Sequence, residues 1–139
     1  MFLLDTNVLS TLMAAQPQPE VAAWLSAQTD ELLFTAAVCQ AEILSGLAIL
    51  PEGRRRTELE VAARVMFLDD FEGRILPFDV VAAETYAEIY AARRRAGRPA
   101  STADLMIAAI APVHGARIVT RNVADFAGCS VPLINPWTA

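Results

Sequence analysis

The sequence predicts an α/β protein, a three-layer α/β/α arrangement around a central, mostly parallel sheet of about five strands. Two observations predict the class. Short apolar runs bounded by turn formers recur along the chain, and most are followed by longer stretches with apolar residues at helical spacing. Strands alternating with helices in this way build parallel sheets. A third observation orients the sheet. The opening run Met1-Phe2-Leu3-Leu4 passes straight into Asp5-Thr6-Asn7. Ligands of open α/β sheets bind beyond the carboxyl ends of the strands, so Asp5 is expected at the active edge.

The elements follow in order. Residues 7–15 read as a short helix with Val8, Leu9 and Leu12 on one face. Gln16-Pro17-Gln18-Pro19 connects it to a second helix, residues 20–28, whose Val21, Trp24 and Leu25 form an apolar stripe. Leu32-Leu33-Phe34-Thr35 is a second strand. Residues 37–50 form a helix carrying Glu42, broken by Pro51-Glu52-Gly53, and residues 54–71 form another. After Gly73, Arg74-Ile75-Leu76-Pro77-Phe78 is a third strand, and Asp79 caps a helix running to Ala96, stopped by Gly97 and Pro99. Ser101 opens a helix over residues 102–113, with Pro112 in its last turns. Arg117-Ile118-Val119-Thr120 is a fourth strand. Val131-Pro132-Leu133-Ile134 is a fifth, placed at an edge by its proline.

Composition narrows the function. The 139 residues suit one domain, with 55% hydrophobic residues to fill its core. No apolar run approaches the roughly 18–20 residues that span a membrane, and no basic leader precedes Asp5, so a cytoplasmic protein is expected. Two cysteines, Cys39 and Cys129, are read as small core residues. The net charge of −5 argues against gripping nucleic acid by bulk charge. All 11 basic residues are arginine, which excludes every lysine-based chemistry, and His114 is the only histidine.

The acids carry the chemistry. Glu52, Arg56, Glu60 and Arg64 are successive i,i+4 neighbours, a salt-bridged solvent face. Glu42 and Asp104 have no cation one turn away, and Asp5 follows an apolar strand. Each has a structural reading. Asp5 caps a helix, Asp104 stands at capping-box spacing from Ser101, and Glu42 pairs with a distant arginine. Taken together, three acids in apolar settings need a counter-charge. A hard divalent cation, Mg²⁺ or Mn²⁺, supplies it through oxygen ligands and serves phosphate-ester hydrolysis.

The chain resembles PIN-domain ribonucleases, in particular the VapC/FitB-like toxins of type II toxin–antitoxin pairs. The resemblance rests on Leu4-Asp5-Thr6-Asn7-Val8, Ala41-Glu42-Ile43, Arg74-Ile75-Leu76-Pro77-Phe78-Asp79, Ala103-Asp104-Leu105-Met106-Ile107-Ala108-Ala109, Val119-Thr120-Arg121-Asn122 and Asn135-Pro136-Trp137. It implies a Mg²⁺- or Mn²⁺-dependent endoribonuclease acting on RNA. It further implies a homodimer, assembled into a heterotetramer or larger with a cognate VapB/FitA-like antitoxin. Asp5, Glu42 and Asp104 fall on the family's metal-binding and catalytic acids. The fourth acidic position is Asn122 here, which keeps an oxygen acceptor but cannot act as a strong base. Asp125, three residues on, is the nearest carboxylate. Thr6 and Thr120 flank site residues, where a hydroxyl orients a carboxylate.

Two arginine clusters remain, Arg54-Arg55-Arg56 and Arg93-Arg94-Arg95 with Arg98. Both read as solvated helix ends. Arg93, Arg94 and Arg95 read equally as contacts to RNA phosphate. Two other functions compete with hydrolysis of RNA. A covalent aspartyl-phosphate enzyme wants a second acid at position 7 and a lysine, and the chain has neither. A catalytically weakened PIN-like binding module would account for Asn122.

Overall fold

A computed structural model describes residues 1–139. Its sheet has five strands: β1 (Phe2–Leu4), β2 (Leu33–Ala36), β3 (Ile75–Leu76), β4 (Arg117–Val119) and β5 (Leu133–Ile134). They lie in the order β3-β2-β1-β4-β5, and every pair is parallel. The chain therefore builds outward from β1 through β2 to β3, then returns to the other side of β1 for β4 and β5. Right-handed crossovers in the two directions put the connecting helices on opposite faces. The reversal point lies between β1 and β4. There the carboxyl ends of two neighbouring strands diverge into a crevice, the usual ligand position of such sheets.

The helices are α1 (Thr6–Met13), α2 (Pro19–Ser26), α3 (Ala37–Ala48), α4 (Arg54–Val65), α5 (Val80–Arg95), α6 (Thr102–Val113) and α7 (Val123–Phe126). Their starts follow local chemistry. Asp5 accepts the Thr6 backbone N–H at 2.8 Å, Asp79 accepts that of Ala82 at 2.9 Å, and Ser101 accepts that of Asp104 at 3.1 Å. Each bond satisfies a donor that helix geometry leaves free. Pro19 opens α2, where its missing N–H costs nothing. Gly97, at φ +68°, turns the chain out of α5 through a conformation that side chains resist.

One cluster of 29 buried apolar residues forms the core. Leu3, Leu4, Ile118 and Val119 of the two central strands are fully buried, as are Ile107 to Ala111 of α6. The alanines there let α6 approach its neighbours closely. Fully burying each Leu or Ile contributes roughly 1.5–3 kcal/mol. Cys39 and Cys129 are free thiols within this core, and burial pushes Cys39 up to about 12. No helix is long and apolar enough to cross a membrane.

The structure departs from the sequence pattern in several places. The helix expected over 54–71 is α-helical only to Val65, and Met66–Asp70 widens into a π-helical turn closed by Phe71 N–H to Met66 O at 2.9 Å. Met66, Phe67 and Phe71 are all buried around that turn. The third strand shrinks to two residues, because Pro77 has no N–H to extend the ladder. The first helix begins at Thr6, immediately after its cap. Two short elements had no pattern long enough to read: α7 and a 3₁₀ turn at Asp30–Leu32. On α4 the ion pairs are Arg54–Glu58 at 2.8 Å and Arg56–Glu60 at 2.6 Å. Glu52 lies before the helix begins and makes no ion pair with Arg56.

Candidate active site

Asp5 is the centre of the crevice. It follows β1 directly, and its own N–H extends the ladder to Val119 O at 2.9 Å. Only 4% of it is exposed. Its Oδ1 accepts the Thr6 N–H, and its Oδ2 accepts the Thr120 hydroxyl at 2.8 Å and the Asn7 side-chain amide at 3.1 Å. The structural reading of Asp5 as a helix cap is therefore correct, yet it uses only one carboxylate oxygen. Burial is the main force on its pKa and raises it. The hydrogen bonds from Thr120 and Thr6 work the other way, and the charge of Glu42 adds to the rise.

Thr120 follows β4 and is fully buried. Its hydroxyl donates to Asp5, and it accepts from the Asn7 amide at 3.3 Å and the Asn122 backbone N–H at 3.0 Å. Asn7 closes the set by accepting the Arg121 N–H at 3.1 Å. Asn7 is a site residue that the motif around Asp5 does not single out. Its signal was available: an amide two residues beyond an acid commonly folds back on it.

Glu42 reaches the crevice from α3, on the β2 side of β1. Its Oε1 accepts the Thr6 hydroxyl at 2.7 Å, so Thr6 ties Glu42 to the residue that Asp5 caps. Glu42 is exposed rather than set in apolar surroundings, because it projects from the outer face of α3 while Cys39, Ile43 and Leu47 face the core.

Asp104 comes from the first turn of α6. Burial raises its pKa first of all, the Ser101 hydroxyl opposes the rise, and the charges of Asp5 and Asp125 add to it. Arg93 lowers it. Asn122 and Asp125 are both exposed, just beyond β4 and on α7.

Arg93 requires a correction. The sequence expects either a solvated helix end or a contact to phosphate, both exposed, but Arg93 is 6% exposed, and its guanidinium donates to the Ala127 carbonyl. Its Nε is buried without a hydrogen-bond partner. Arg93 therefore braces the α7 segment instead of meeting solvent. It is also the long-range cation near Asp104 that sequence spacing did not reveal. Arg94 and Arg95 remain exposed, with Arg94 donating to the Tyr90 hydroxyl at 3.2 Å.

The donor set toward any cofactor consists of carboxylate, hydroxyl and amide oxygens, which suits a hard cation. No three His, Cys, Asp or Glu side chains already stand close enough to share one ion. The electrostatics nonetheless favour a cation. Glu42 and Asp104 both raise the cost of charging Asp5 or are raised by it, and no arginine forms an ion pair with any of the three. Magnesium, which keeps several waters and needs only one or two carboxylates, fits such an open set.

A groove of about 730 Å³ adjoins the acids. It runs between α1, α3 and α4, with Thr6 and Glu42 at one end and Met13, Ile43, Leu47 and Leu59 along its walls.

Fold and site together define a small α/β domain with a carboxylate-lined crevice at the reversal point of a parallel sheet. The PIN domain family matches residues 2–127, and the chain belongs to it. It is 40% identical to a VapC ribonuclease of Sinorhizobium fredii over 99% of this chain and 98% of that one. It is 37% identical to the toxin FitB of Neisseria gonorrhoeae over 99% of each chain. Among solved structures it is similar to a chain of FitAB bound to a DNA fragment, with a TM-score of 0.90 and 37% identity over 99% of this chain and 96% of that one.

Proposed function

We propose that this chain is the toxin of a type II toxin–antitoxin pair and acts as a Mg²⁺- or Mn²⁺-dependent endoribonuclease. One observation carries the reading: Asp5 and Glu42 are joined through Thr6 at the reversal point of the sheet, Asp104 lies within reach of the Asp5 charge, and none of the three is in an ion pair. The relatedness to a VapC ribonuclease and to FitB supports RNA as the substrate and a toxin role.

In this reading Asp5, Glu42 and Asp104 hold the cation, directly or through water. When bound, the ion supplies Lewis acidity toward a phosphodiester and acidifies a water for attack. The chain does the rest. Thr120 and Asn7 fix the orientation of Asp5, and Thr6 fixes that of Glu42. Asp104, held at the first turn of α6 with a carboxyl that solvent still reaches, would take the ion or one of its waters on the side away from Glu42. Asn122 lines the crevice and orients water or phosphate without taking a proton, while Asp125 adds negative charge behind Asp104. Arg94 and Arg95 are the members of their cluster left to meet RNA phosphate.

The partner is a FitA- or VapB-like antitoxin, in keeping with the FitAB structure. The groove between α1, α3 and α4 suits an apolar helix of that partner, and its Glu42 end suits an arginine of the same segment. A homodimer that forms a heterotetramer or larger with the antitoxin is tested by the mass of the purified complex. A second reading, a PIN-like module that binds without cutting, is favoured by Asn122 and by the absence of a preassembled ligand set.

Cleavage of a mixed cellular RNA pool separates the two. The partner-free protein should cut with Mg²⁺ or Mn²⁺, not with chelator, and Asp104→Asn should lose the activity while staying folded. A folded protein that cuts with neither ion supports the binding module.

A further inference from the structure

On the β4 side of the crevice, opposite Glu42, stands a second constellation that the acids do not use. Arg121 follows β4, and Trp137 follows β5, the next strand in the sheet. The Arg121 guanidinium lies over the Trp137 ring, 5.2 Å from its centre. Both partners are fixed from behind. The Trp137 indole N–H donates to Gln18, and its backbone N–H donates to Asn135 Oδ1 at 2.9 Å. The Arg121 backbone N–H donates to Asn7 Oδ1, and the same Asn7 donates to Asp5 Oδ2. Arg121 is thus two hydrogen bonds from the central acid.

The choice of partner is informative. In a chain with 16 acids and 11 arginines, both ion pairs lie on α4, and Arg121 takes part in neither. It is exposed, yet it rests on an aromatic face. Stacking holds a guanidinium through its plane and leaves the N–H groups along its edge available, the geometry with which arginine grips phosphate. Three other arginines are committed elsewhere: Arg93 is buried, and Arg54 and Arg56 are paired with Glu58 and Glu60.

We infer that Arg121, held on Trp137, is a phosphate-binding residue for single-stranded RNA on the β4 side of the crevice. It offsets the repulsion between the acids and the RNA backbone on the β4 side of Asp5. This rests on the ribonuclease reading and names the group that holds its substrate.

The test is RNA binding and cleavage by the full chain and two variants, with Mn²⁺ present and salt varied. Arg121→Ala should weaken binding and raise KM about tenfold, with kcat within about twofold. It should also reduce the slope of log affinity against log salt by about 0.7, the value for one phosphate contact on a single strand. Arg121→Lys should keep the slope and recover most of the affinity. Affinity for Mn²⁺ should be unchanged in both. An unchanged salt slope in Arg121→Ala overturns the inference, whether or not kcat falls. Wild-type protein that binds RNA without cutting it would defeat the ribonuclease reading alone, and the slope would still decide the role of Arg121. Wild-type protein that neither binds nor cuts RNA overturns both.

Discussion

The Thr120 hydroxyl donates to Asp5 Oδ2 at 2.8 Å, joining residues 115 positions apart at the ends of adjacent strands. The bond exists because β4 pairs with β1 in register, Val119 opposite Leu4, which brings the next residue of each to the crevice together. Thr120 is also the acceptor for Asn7 and for the Asn122 N–H. Thr120→Val keeps the shape and removes all three bonds, leaving buried polar groups unpaired at a cost of about 1–3 kcal/mol. The loss should appear as a lower denaturation midpoint. Since the bond favours the ionised form of Asp5, its removal should move the acid limb of the cleavage pH profile upward. Thr120→Ser should restore both.

Burial raises the pKa of Asp5 above its unfolded value, which fixes a stability prediction. Below the unfolded value of about 3.9 the carboxyl is protonated in both states and carries no penalty. As pH rises through the folded value, ionised Asp5 is disfavoured in the fold and stability is lost. Asp5→Asn keeps an oxygen to cap α1 and removes that charge. It also places an amide donor where Oδ2 accepts from Thr120 and Asn7, which carries its own cost. With chelator present, its melting temperature relative to the wild type should therefore rise between about pH 4 and about pH 8. A gap independent of pH would mean that charge is not its cause.

Saturating Mn²⁺ should shift the comparison toward the wild type at pH 8, by stabilising only the wild type. At about one hundred times the dissociation constant the gain is roughly 2.7 kcal/mol. Differential scanning fluorimetry with and without the ion reads it directly.

Thr6 holds Glu42 through a single 2.7 Å hydrogen bond, and Glu42 is otherwise free in solvent. Thr6→Val should leave the fold stable within about 0.5 kcal/mol, because that bond is exposed. It should lower kcat or Mn²⁺ affinity by about 10- to 100-fold through the disordered carboxylate. Thr6→Ser should retain most of the activity.

Asn122 stands just beyond β4, where the resemblance drawn from the sequence leads one to expect an acid. Asn122→Asp adds a negative charge to the same exposed position and should tighten Mn²⁺ binding, while Asp125→Asn should loosen it by less. Isothermal titration of the two variants ranks the positions. A larger loss from Asp125→Asn than gain from Asn122→Asp would make Asp125 the principal acid beyond β4.

Much of this was legible in the chain, for specific reasons. Leu3-Leu4 before Asp5 and Ile118-Val119 before Thr120 mark strands that end in polar residues, so both sides of the crevice could be named before their pairing was known. Ser101 and Asp79 announced their helices by side-chain chemistry. What escaped was set by contacts distant in sequence. The inward turn of Arg93 depends on the Ala127 carbonyl, 34 residues on, and no spacing within α5 reports it. The exposure of Glu42 depends on which face of an alanine-rich helix packs, and Ala37 to Ala48 has apolar residues all round. The π-helical turn at Met66–Asp70 arises where three bulky residues seek one core, which a regular helical repeat cannot express.

The most direct test of the account is the binding of Mn²⁺ to the purified, partner-free protein, followed by isothermal titration beside Asp5→Asn and Asp104→Asn. The account predicts saturable binding by the wild type that weakens as pH falls and is lost or reduced at least tenfold in each variant. Binding that survives both substitutions unchanged, or a folded wild type that takes up no ion, would contradict it.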